Sequence, residues 1–161
     1  MERKILLLGN NKLYEISSEV EKDELPELVP VIQDLHDTLI AFRKKYHAGR
    51  AIAAPQIGIQ KRLLYMYIEN PTVFINPVLE PIGDAQMEIM DDCMSFPNLL
   101  VKVKRYEKCR IRYLDMDWNK QEMILEGDLS ELLQHEYDHL DGILATMRAI
   151  DNRSFFIKET E

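Results

Sequence analysis

Apolar residues recur at helical spacing near both ends of the chain and at strand-like spacing between. From about Glu27 to His47, Leu28, Val31, Ile32, Leu35, Leu39 and Phe42 share one face, and Gln33, Asp34, Asp37, Arg43, Lys44 and Lys45 fill the other. That period predicts an amphipathic helix, ended by Ala48-Gly49. Arg62–Ile68 and Pro71–Leu79 are rich in β-branched and aromatic residues and predict strands, with Asn70-Pro71 and Asn76-Pro77 as breaks and Glu80–Asp84 as a turn. Met87–Ser95, Leu99–Arg105, Cys109–Leu114 and Gln121–Leu125 follow as further short strands. Val101 and Val103 alternate with Lys102 and Lys104, and Ile111 and Tyr113 with Arg110 and Arg112, the pattern of half-buried antiparallel sheet. Asp115–Lys120 reads as the hairpin turn between the last two. Beyond Gly127, Leu129, Leu132, Leu133 and Leu140 fall near one stripe of a second helix, with Asp128 or Ser130 available to cap its first turn. Residues 1–25 read as irregular, and 151–161 as a short tail with one strand at Ser154–Ile157. The pattern predicts an α+β fold: an N-terminal helix and short antiparallel strands packed around a C-terminal helix.

Composition narrows the class. The 161 residues suit one domain, taken as 1–161, and 46% hydrophobic with 30% charged residues is globular rather than disordered. No apolar run approaches the roughly 20 residues that span a bilayer, and Ile5–Leu8 is too short for a secretory signal, so a cytoplasmic protein without a membrane partner is expected. A net charge of −8 argues against a nucleic-acid partner. In that setting Cys93 and Cys109 are expected reduced.

The candidate chemistry lies on the second helix, in Gln134-His135-Glu136-Tyr137-Asp138-His139-Leu140-Asp141-Gly142. Each helical residue turns the chain by about 100°, so His135 and His139 put two imidazoles on one face, in reach of one metal ion. Glu136 lies beside them, placed to take a proton from water activated there. This HExxH pattern fixes only three letters and also occurs on ordinary helices, so a metal site needs a third ligand. Cys93, in Asp91-Asp92-Cys93-Met94-Ser95, sits where a strand ends and a thiolate can reach a packed helix; the other reading, a small buried hydrophobe, is kept for Cys109. Gly49–Gly58 is built of small residues that let backbone pass close to a neighbour, and its Gln56 amide can donate into a dry site. His36 and His47 are read as structural or solvent-facing.

Gly49–Gln56, Asp91–Ser95 and Gln134–Gly142 resemble, in order, the three signature motifs of the peptide deformylases, which usually read G-x-G-L-A-A-P-Q, E-G-C-L-S and Q-H-E-x-D-H-L-x-G. The resemblance implies a metal-dependent amidohydrolase that removes the formyl group from N-formylmethionyl peptides as formate. It implies one divalent ion, Fe²⁺ natively with Zn²⁺ or Ni²⁺ as substitutes, held by Cys93, His135 and His139. Glu136 would be the general base, with the Gln56 amide and the Met94 backbone N–H stabilising the charge that grows on the formyl oxygen. Asp91 and Arg105 would pair and steady the Cys93 loop.

Departures from the pattern surround these residues. Ala51 and Ile52 are mild changes; Asp91, Asp92 and Met94 replace Glu, Gly and Leu. The positions expected around the substrate are Gly49, Arg50, Ala51, Asp92, Asp128 and Glu131. Charges at Arg50, Asp128 and Glu131 would be costly against a methionine side chain. Either they point outward or the pocket prefers a polar or charged N-formyl substrate. A non-catalytic metal-binding module is a third reading, which retention of Glu136 and Gln56 argues against. The tail Lys158–Glu161 is not the basic C-terminal helix by which some deformylases dock on the ribosome, so no contact of that kind is expected.

Overall fold

A computed structural model of the chain describes residues 1–159; Thr160 and Glu161, the end of the expected tail, lie outside the described residues. The first helix, α1, runs Leu25–Tyr46 with a proline in its first turn, where the missing N–H costs no helical bond. Its ending differs from expectation. His47, at φ 57°, takes the left-handed position and donates its N–H to Arg43 O, so Gly49 is not the terminator. Gly49 serves a close approach instead. A Cβ there would lie 3.3 Å from Phe42 and 3.4 Å from Leu39, so its absence lets the chain turn in beneath α1.

Two antiparallel sheets follow. The larger has the order β1-β2-β3-β6-β7, and its strands are β1 (Ala51–Ala53), β2 (Leu63–Tyr67), β3 (Pro71–Pro81), β6 (Lys108–Leu114) and β7 (Lys120–Glu126). The smaller, β4-β5-β8, comprises Gln86–Cys93, Phe96–Tyr106 and Phe155–Ile157. Each predicted strand is present. The expected break at Asn76-Pro77 is a bulge inside β3, where register shifts between Ile75 and Val78 and Asn76 sits at φ 48°. The Asn76 side chain accepts from the Val20 N–H at 2.8 Å and donates to the Val20 carbonyl at 2.9 Å, which ties the opening segment to the sheet.

The strand period decides where the helices pack. Ile52, Leu63, Tyr65 and Ile75 join Leu28, Leu35 and Leu39 of α1 in one buried cluster. Their neighbours Ala51, Ala53, Leu64 and Phe74 face the other way and join Leu132, Leu133 and Leu140 of the second helix, α2 (Asp128–Leu140). The two helices thus cover opposite faces of the larger sheet. Cys109 lies within the α2 cluster as the small buried hydrophobe expected. A third cluster, with Leu13, Cys93, Phe96, Val101, Val103 and Leu144, packs the smaller sheet against segments from both ends of the chain. Neither Asp128 nor Ser130 caps α2. Gly127 is its N-cap, without a side-chain hydrogen bond, and Ser130 Oγ donates to Tyr106 O at 2.8 Å.

Candidate active site

His135 and His139 lie a turn apart on the buried face of α2, pointing at the end of β4. There the chain reverses through Met94 and Ser95, so that Cys93 pairs with Phe96 of β5. Alternation along β4 buries Asp91 and Cys93 and leaves Asp92 exposed. The three expected ligand atoms converge: Cys93 Sγ is 3.4 Å from His139 Nε2, which is 3.3 Å from His135 Nε2. All three atoms lie within 4.8 Å of one another.

The surroundings fix these side chains. His135 Nδ1 lies 2.9 Å from Asp91 Oδ2, and Arg105 donates to the same oxygen at 2.7 Å. Burial alone would raise the Asp91 carboxyl, but His135 and Arg105 hold it at about 2. An ionised Asp91 keeps a proton on Nδ1 and turns Nε2 toward the cluster. Against burial, Asp91 and Cys93 hold His135 well above the ordinary histidine range, whereas burial and His135 push His139 well below it. A sulfur with two imidazole nitrogens, one ring held by a carboxylate, is a donor set that suits a borderline divalent metal ion. The expected Asp91–Arg105 pair is present.

Gln56 is buried at the end of the turn after β1. Its Oε1 accepts from the Ala53 N–H at 2.9 Å; its amide nitrogen lies 3.2 Å from Ser95 Oγ and 3.5 Å from Cys93 Sγ. The side chain is thereby aimed at the cluster. Glu136 is buried beside it, and its Oε2 has no hydrogen-bond partner among the described residues. Burial pushes its carboxyl up to about 7, in the range of a proton acceptor working near neutrality.

A cleft of about 190 Å³ opens on this group. Gly49, Arg50, Ala51, Asp92 and Glu131 line it with Cys93, Met94, His135 and Glu136. Asp128 does not. It is exposed at the start of α2, three residues and therefore most of a turn before Glu131, and it is not part of this wall. Arg50 and Glu131 meet at 2.9 Å, and Asp92 meets Lys158 at 3.0 Å, so the charges on the cleft wall are matched by opposite charges of this chain. Burial raises the Glu131 carboxyl and Arg50 opposes the rise.

Three contributors were missed in the sequence. Ser95 receives the Gln56 amide. Asp138 joins Arg105 at 2.8 Å and Arg148 through two bonds. The opening segment, expected to be irregular and given no role at the site, donates Leu6 N–H to Gln56 O at 2.8 Å and Leu8 N–H to Ser95 O at 2.9 Å. Only Asp138 carried a signal, since an acid between two candidate ligands on one helix is a natural anchor.

Fold and site together are those of a metal-dependent hydrolase. The sequence model of the family described as polypeptide deformylase matches residues 2–154. Peptide deformylase 1 of Prochlorococcus marinus is 38% identical, the match covering 95% of this chain and 83% of that protein. Peptide deformylase 2 of Ralstonia nicotianae is 35% identical over 99% and 93%. Among solved structures, a Synechococcus elongatus peptide deformylase in complex with actinonin superposes with a TM-score of 0.83 at 30% identity, covering 92% of this chain and 79% of that one. The Thermotoga maritima peptide deformylase gives 0.84 at 28% identity over 94% and 99%. The chain belongs to the polypeptide deformylase family, and it is an enzyme of the metallo-hydrolase class.

Proposed function

We propose that this protein hydrolyses the formamide of N-formylmethionyl peptides, releasing formate and a free amino terminus. The observation that carries this reading is the convergence of Cys93, His135 and His139 beside a buried, unpaired Glu136 oxygen. Cys93, His135 and His139 would hold one divalent ion, Fe²⁺ natively with Zn²⁺ or Ni²⁺ able to replace it. When bound, such an ion supplies Lewis acidity, which makes water a better nucleophile at neutral pH and polarises a carbonyl oxygen. Glu136 accepts the proton from the attacking water and later delivers it to the leaving amine, as its raised carboxyl suits both directions. The amide of Gln56 and the Met94 backbone N–H donate to the oxygen on which negative charge develops. Asp91 keeps the His135 ring oriented, and Arg105 holds Asp91. Gly49, Arg50, Ala51, Asp92 and Glu131 form the cleft that receives the peptide.

The charges in that cleft give no reason for a polar substrate, because Arg50 and Glu131 satisfy each other and Asp92 turns toward Lys158. The relatives likewise favour a peptide substrate, being peptide deformylases by name.

The test is formate release from a formyl-methionyl peptide by Fe²⁺-loaded protein prepared without oxygen. Turnover is expected, with Glu136→Ala slower by about 10²-fold or more. Faster turnover of formyl peptides that begin with a charged residue would overturn the methionine assignment.

A further inference from the structure

Five alternating groups run in one line from the candidate metal site to the surface. His135 Nδ1 lies 2.9 Å from Asp91 Oδ2, which accepts from Arg105 Nη2 at 2.7 Å. Arg105 Nη1 donates to Asp138 Oδ2 at 2.8 Å. Arg148 closes the line with a fork on Asp138, Nε to Oδ2 at 2.5 Å and Nη2 to Oδ1 at 2.9 Å. Arg105 is buried and divides its two terminal nitrogens between two carboxylates, while its Nε has no partner among the described residues. Nothing else on that guanidinium fixes how far it leans to either side. Asp138 is thus the second acid on Arg105, and Arg148 is the second arginine on Asp138.

We propose that Arg148 is a positioning residue for the metal site, acting through Asp138, Arg105 and Asp91 on the ring of His135. With Arg148 in place, Asp138 shares its charge between two arginines, and Arg105 stays centred on both acids. Without it, the Asp138 charge falls on Arg105 alone and draws it from Asp91. The carboxylate that orients His135 then loses its anchor, and the ligand set is less well organised before an ion arrives. Arg148 comes from the short turn Ala145–Arg148 after α2, so the segment following the helix would take part in holding a ligand that the helix carries. Its side chain is 44% exposed and lines a second cavity, of about 320 Å³, with Arg105, Asp138, Lys104 and Tyr137. Replacing so exposed a side chain leaves the buried clusters intact.

The inference rests on Cys93, His135 and His139 being the ligands, so the test reads metal affinity rather than turnover. Metal-free protein is titrated with Co²⁺ against a competing chelator, and the visible spectrum of the Co²⁺ form is recorded. Arg148→Gln is expected to weaken Co²⁺ binding about tenfold, the low end of what loss of an outer-shell partner costs, and to shift the spectrum. Arg148→Lys, which keeps the charge, is expected to recover most of the affinity. Parent-like or tighter affinity with an unchanged spectrum in Arg148→Gln overturns the proposal, even if melting temperature falls, because a merely structural ion pair would do that. A loss in Arg148→Lys as large as in Arg148→Gln overturns the charge argument. A parent chain that binds no Co²⁺ overturns the ligand reading itself, and this inference with it.

Discussion

Arg105 is 3% exposed and lies between the carboxylates of Asp91 and Asp138, one donor bond to each. A buried pair of this kind adds little net stability over an apolar substitute, but removing one member leaves the others as uncompensated charge. Arg105→Ala would take a buried cation from two acids at once, leaving Asp91 only His135 and Asp138 only Arg148. The expected loss is about 3–5 kcal/mol, which at this size lowers the melting temperature by roughly 6–20 °C. Metal affinity should fall as well, because Asp91 no longer has its anchor. A variant with parent-like melting temperature and affinity would remove Arg105 from the support of the site. The Asp91–Arg105 pair was legible in the sequence only through resemblance. Its extension to Asp138 and Arg148 was not, since the contact 33 positions apart is set by how α2 lies on β5 and the one 10 apart by how the chain turns back after α2. His135, Glu136 and His139 were legible because helix geometry brings neighbours four apart together whatever the rest of the chain does.

The element scale shows where period suffices and where it fails. Alternation along β5, with Val101 and Val103 buried and Lys102 and Lys104 on the other face, is a local property and could be read from residue type. The three residues of β1 could not, because Ala51-Ile52-Ala53 is buried on both faces and too small to show a period. The caps misled for a related reason. Ser130, two residues into α2, finds a better acceptor in Tyr106 O on a strand that sequence distance hides. Gln134 makes the same connection more firmly, accepting from Tyr106 N–H at 2.9 Å and donating to Tyr106 O at 2.8 Å. It therefore latches the base of the metal-binding helix to the end of β5. Gln134→Leu would leave the Tyr106 N–H without its acceptor, while Ser130 still serves the carbonyl, at a cost of about 1–3 kcal/mol. Chemical denaturation should register the loss as a lower midpoint with an unchanged slope. A midpoint within error of the parent would mean that water replaces the amide without cost.

Across the whole molecule, the site joins parts that belong to different sheets. Cys93 ends a strand of the smaller sheet, while His135 and His139 sit on a helix packed against the larger one. The opening segment reaches both, bonding Gln56 O beside β1 and Ser95 O beside β4. An ion shared by Cys93 and the two histidines would thus be a cross-link between the sheets, and its removal should have a location as well as a size. Binding that favours the folded state stabilises by about 2.7 kcal/mol at a free-ion concentration of 100 times Kd. Chelation is therefore expected to lower the melting temperature by roughly 5–11 °C in a chain of this length. Hydrogen exchange should quicken most at Met94, Ser95 and the second half of α2, which the ion holds together. The packing of α1 on β2 and β3 involves none of the ligands and should keep its protection. Uniform acceleration across both sheets would mean that the ion contributes only to global stability, and that hydrogen bonds from Leu6 and Leu8 already fix the two halves without it.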